Sequence, residues 1–186
     1  MSLKYVTLYI LVVVMAMYLL NSFFIYSILG YVFEIIFGFI IGSTNPESGV
    51  LYGPWTPIYG IAAILIMIIS ERVFSNLHMK RWKETIVVFL IIVVILMLLE
   101  FLGGYLIEVI FGFTFWDYSN YRFHIGKYTC LEIGFVWGIL AMIFIYVLKP
   151  LLDKYIKRIP KFITILVTFL FIFDLIFRLL KEYNIF

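Results

Sequence analysis

Four carboxylates lie inside apolar stretches of the chain: Glu34, Glu100, Glu108 and Glu132. With lipid as the solvent, a charge there must face the interior, find a partner or reach the interface. Two of them share a context. Gly30 to Phe39 reads GYVFEIIFGF and Gly104 to Phe113 reads GYLIEVIFGF, an offset of 74 residues with seven of ten positions identical. Glu34 and Glu108 fall at the same place in the two strings. Glu100, Gly104 and Glu108 recur every four residues, so on a helix Glu100 and Glu108 differ by about 80° and share a broad face. Gly103 and Gly104 remove side chains there and allow a close approach. If the two repeat helices meet, Glu34 and Glu108 face each other. Two carboxylates in a low dielectric share a proton, bind a cation or pair with a base. The plainer alternative is that each glutamate caps a backbone amide or bonds a tyrosine or tryptophan near the interface.

Three further strings carry polar chemistry. Leu51 to Gly60 reads LYGPWTPIYG. Its prolines suit the first turn of a helix, and Tyr52 and Tyr59 suit the membrane interface or a ligand beside it. N–H groups exposed at that helix start would face an anionic group. In the second, Trp116 to Ser119 opens a loop in which Asp117, Arg122 and His124 could form a polar site ringed by Tyr118, Tyr121, Phe123 and Tyr128. One histidine with scattered glutamates lacks zinc-ligand spacing, and no metal or cofactor is implied. In the third, Asp174 and Arg178 are four apart and should pair with each other. Cys130 is the only cysteine; no internal disulfide can form, and the residue reads as a small packing group.

The elements that must position these residues are membrane helices. Of the 186 residues, 65% are hydrophobic and 13% charged, far from the balance of a soluble domain. A soluble fold of this size cannot hide so much apolar surface. A soluble enzyme, a nucleic-acid-binding module and a disulfide scaffold are excluded. Apolar runs long enough to span, or nearly so, cover about Tyr5–Ile41, Pro57–Ser70, Thr85–Phe115, Cys130–Leu148 and Phe162–Leu180. The fold expected is all-α and polytopic with five transmembrane helices. A hairpin at Asn21-Ser22 in the long first run would make six. Basic residues cluster at Arg72–Lys83 and Lys149–Lys161, which predicts those loops and the N-terminus to be cytoplasmic, in a cell membrane.

The repeat divides the single transmembrane domain into unit one, about residues 10–75, unit two, about 84–149, and an extra helix, about 162–182. A weaker echo follows the first string: Gly60 to Ala63 against Gly138 to Ala141. Each unit is a long helix, an external loop and a second helix. Two spans per unit insert both copies with the same orientation. From Lys83 to Glu108 is roughly 37 Å at 1.5 Å per residue, against a hydrocarbon core of ~30 Å. Glu108 therefore lies at the external edge, with Glu34 and Glu132 at its level. Glu100 lies about 12 Å deeper.

There is no GxxxxGK[ST] phosphate loop, HExxH or GxSxG. If the chain serves an ATP-driven pump, the ATPase is a separate subunit. The partners expected are the bilayer, that subunit and further copies of the chain in a homo-oligomer, with no nucleic acid. The leading function is a permease-like or transport-associated subunit with a carboxylate-lined polar site in the external half of the bilayer. The alternative is an intramembrane enzyme acting on a lipid or prenyl substrate with glutamate as general acid or base. A third class is a structural partner of another membrane protein.

Taken in order, several strings resemble a family of small bacterial multi-pass proteins, the CmpB-like type IV ABC-transporter components. They are FIYSILGYVFE (Phe24–Glu34), LYGPWTPIYG, Glu100–Glu108 with its glycines, WDYS (Trp116–Ser119), Cys130-Leu131 and Trp137-Gly138. The resemblance runs from about residue 23 to 150 and implies membrane transport. The chain departs from it by about 15 extra apolar residues before Phe23 and by Tyr31 in place of a tryptophan.

Overall fold

The computed structural model describes residues 3–44 and 48–183. Its helices are α1 (Leu3–Ile40), α2 (Pro57–Asn76), α3 (Arg81–Phe111), α4 (Leu131–Ile143), α5 (Lys149–Ile156) and α6 (Lys161–Glu182). A π-helical turn, Phe144–Leu148, joins α4 to α5 without a break. Five helical segments are long and apolar enough to cross a membrane: Thr7–Ile40, Pro57–Asn76, Arg81–Phe111, Leu131–Ile156 and Lys161–Glu182. The protein is an all-α polytopic membrane protein. The first run is one continuous helix, and no hairpin forms at Asn21-Ser22.

The helix ends follow local chemistry. Pro57 opens α2, where its missing N–H costs nothing. Gly112 ends α3 in the left-handed region at φ 72°, and its N–H returns to the Glu108 carbonyl. The helix starts keep the spacing of the repeat, since α2 begins at Pro57 and α4 at Leu131, 74 residues on. That register aligns Gly60 with Gly134 rather than with Gly138. The α3–α4 loop also holds a feature that composition did not foretell, a two-residue antiparallel ladder pairing His124 with Cys130 and Ile125 with Thr129.

The chain forms two compact units, Met1–Ile64 with Leu152–Phe186, and Leu65–Leu151. In the first, Phe23, Phe24 and Trp55 each set a ring edge-on to Phe171 of α6. Farther along, Tyr18 Oη donates to Asp153 Oδ1 at 2.7 Å, and Thr164 Oγ1 donates to Asn21 Oδ1 at 2.7 Å. Residues 21–40 of α1 already cover about 30 Å, one full crossing. The turns before Tyr18 extend past that level, and Tyr5, Tyr9 and Leu11 on them are exposed. In the second unit α3 packs on α4. Gly134 and Gly138 bring α4 close to Met97, Val93 and Phe89, beside the buried Val88, Ile92 and Leu96.

Candidate functional site

Glu100 is the most enclosed of the sequence-identified carboxylates, at 6% exposure. It sits about two-thirds of the way along α3, and three neutral groups donate to it. Tyr118 Oη reaches Oε1 at 2.9 Å, Trp137 Nε1 reaches Oε1 at 3.0 Å, and Thr129 Oγ1 reaches Oε2 at 2.9 Å. Tyr118 comes from the start of the α3–α4 loop, Thr129 from its end and Trp137 from α4. Among the described residues no lysine or arginine pairs with Glu100. Burial, then the Glu100 charge, pushes the Tyr118 phenol well above its usual range, so it stays protonated and donates. Cys130 is buried next to this cradle, and burial pushes its thiol up as well.

Glu108, two turns farther along α3, has a different setting. Lys127 Nζ and Tyr128 Oη each donate to it at 2.7 Å, and the ion pair is about one-third exposed on both sides. The hydrogen bond to Glu108 holds the Lys127 ammonium above its ordinary value. Asp117 accepts from the Ser119 hydroxyl at 2.5 Å and from the Ser119 N–H at 2.8 Å, which hold its carboxyl below the usual range. His124 Nδ1 lies 2.7 Å from the Gly126 carbonyl, exposed. Arg122 is exposed over the Phe123 ring at 5.3 Å. The loop thus brings Glu108, Asp117 and Lys127 together at its surface. Glu132, in the first turn of α4, accepts the Phe123 N–H at 3.2 Å through Oε1, and its buried Oε2 has no partner among the described residues. Gly104 meets Trp116 and Tyr128 of this loop; the close approach that the glycine permits is by a loop and not by a helix.

In the other unit Glu34 is held in the same manner as Glu100. Ser48 Oγ donates to Oε2 at 2.5 Å and is itself 2.7 Å from Thr56 Oγ1. Tyr59 also hydrogen-bonds the carboxylate, with its ring lying over Gly30. Glu34 and Glu108 each have a partner set within their own unit.

Asp174 departs from expectation. It does not pair with Arg178. Its carboxylate accepts the Tyr52 N–H at 3.1 Å, the Gly53 N–H at 2.8 Å and Trp55 Nε1 at 2.7 Å. Arg178 instead donates to the Val50 carbonyl and to Glu182. The N–H groups before α2 do face an anion, and that anion belongs to the chain itself. Sequence reasoning offered a tyrosine or tryptophan as a partner of the glutamates without naming which, and it passed over Ser48 and Thr129 as donors. Tyr118 and Thr129 come from the α3–α4 loop and Trp137 from within α4, and nothing in their sequence neighbourhood marks them as partners of Glu100.

Among the described residues no cluster of histidine, cysteine and carboxylate could hold a metal ion. The model of the family described as "Putative ABC-transporter type IV" matches residues 21–179. It begins at Asn21, where the single-crossing length of α1 begins. No curated protein and no solved structure matches the chain.

Proposed function

The chain belongs to this family, and we propose that it works as a membrane-embedded, transport-associated subunit whose carboxylates Glu34 and Glu100 take up a proton or a cation in the external half of the bilayer. The observation that carries this reading is the Glu100 cradle, a buried carboxylate in a membrane helix met by three neutral donors and, among the described residues, no cation. An ionisable group so placed is costly to keep, and such groups mark ion and proton paths. Glu34, with Ser48 and Tyr59 as donors, offers a second group of the same kind. The matching strings around Glu34 and Glu108, and the equal spacing of the helix starts, support a duplicated helix pair. The basic runs at Arg72–Lys83 and Lys149–Lys161 support an external location for both cradles. With no phosphate loop in the chain, ATP hydrolysis falls to another subunit.

The test uses the full chain in liposomes with a trapped pH-sensitive dye and an imposed potassium diffusion potential. Wild-type protein should admit protons faster than protein-free vesicles. Glu100→Gln, which keeps size and hydrogen bonding, should return the rate to the protein-free level. Equal rates for wild type, Glu34→Gln, Glu100→Gln and the double variant would show that these carboxylates only anchor loops.

A further inference from the structure

Asp174 lines a groove of about 330 Å³ together with Tyr52, Trp55, Leu170, Phe173 and Phe177, a volume at the small end of the ~300–1,000 Å³ typical of small-molecule sites. Three features give the groove a chemistry. First, its floor holds a carboxylate only 8% exposed, whose partners are all neutral N–H donors and which has no ion pair among the described residues. Second, four of its walls are aromatic, and aromatic faces attract cations by ~0.5–2 kcal/mol each. Third, Leu170, Phe173 and Phe177 are 45–60% exposed on a membrane-spanning helix, so the mouth opens sideways to lipid. Arg178 and Lys181 lie against the Tyr52 ring, at 5.9 Å and 5.3 Å from its centre. With Arg178 paired to Glu182 at 2.7 Å, the rim keeps the net positive charge of Lys181, and these basic groups oppose a small hydrophilic cation arriving from water. A cation with an apolar body already concentrated in the bilayer bypasses them.

We infer that this groove is a binding site for amphiphilic cations entering laterally from the lipid, with the positive charge held between Asp174 and the Trp55 and Phe173 rings. It shares no residue with the glutamate cradles and does not depend on their proposed role.

The experiment measures equilibrium binding of tetraphenylphosphonium to the full chain in liposomes, corrected with protein-free vesicles. Tetraphenylborate has the same shape and the opposite charge, and tetramethylammonium has the charge without the apolar body. Saturable binding of tetraphenylphosphonium alone is expected. Asp174→Asn should weaken it about tenfold or more, in line with loss of a charge contact. Because that change also touches the loop, Leu170→Trp provides a second arm: it fills the groove and leaves the three bonds to Asp174 in place, and it should weaken binding as much. Equal binding of tetraphenylborate, or binding that neither variant alters, would overturn the inference.

Discussion

Replacing Glu100 separates its structural from its ionisable role. In Glu100→Ala, the Tyr118 hydroxyl, the Thr129 hydroxyl and the Trp137 N–H lose their acceptor together. A buried donor left unpaired costs about 1–3 kcal/mol; Thr129 is buried while Tyr118 and Trp137 are half-buried, so the alanine variant should lose about 3 kcal/mol. In Glu100→Gln, a side-chain carbonyl at the Oε1 position keeps Tyr118 and Trp137. The amide at the Oε2 position meets Thr129, whose hydroxyl can turn and accept. The glutamine variant should therefore stay within about 1 kcal/mol of wild type. Cys130 supplies the assay. It is the single thiol of the chain, adjoins Thr129 and is fully buried. Its labelling by a membrane-permeant maleimide requires local opening. A 3 kcal/mol loss corresponds to labelling roughly 100-fold faster. The expected order is wild type, Glu100→Gln close behind, and Glu100→Ala far ahead. If glutamine labels as fast as alanine, or alanine as slowly as wild type, then these hydrogen bonds do not hold the loop.

Gly60 and Gly134, 74 residues apart, should respond differently to alanine. A Cβ at Gly60 would come within 2.5 Å of the Phe23 carbonyl, a backbone atom, and should cost about 1–3 kcal/mol by overpacking. At Gly134 the obstacle is the flexible Met97 side chain, so the change should cost less than about 1 kcal/mol; detergent-titration unfolding compares the two. The Lys127–Glu108 pair should stabilise the α3–α4 loop fully below the ordinary lysine value of ~10.4, and the stability should be lost as pH rises through the higher folded value. The check is the wild-type stability profile against that of Lys127→Met, which should lack this alkaline step. For sidedness, cysteines placed singly at Ser75 and Lys157 should label only from the cytoplasm, and one at Ser119 only from outside; a cytoplasmic Ser119 would reverse the orientation.

The sequence by itself determined the class, the spans and the places of the carboxylates within them. Hydropathy is a local property, and a crossing needs about 20 apolar residues in a row, so Pro57, Leu131 and Lys161 could be placed near helix starts before any contact was known. The cost of an intramembrane charge is local too, which singled out Glu34, Glu100, Glu108 and Glu132 without ranking Glu100 as the most enclosed. The partners of those charges were not legible. Trp137 lies 37 positions from Glu100, and Tyr52 lies 122 from Asp174. Nothing in the hydropathy of α6 distinguishes an aspartate that pairs one turn ahead from one that holds a distant loop. Only the tertiary structure decided it, because the Tyr52 and Gly53 N–H groups lie outside any helix ladder and must find an acceptor in the fold. Asp174 is the acceptor that packing α6 against α1 brings within reach.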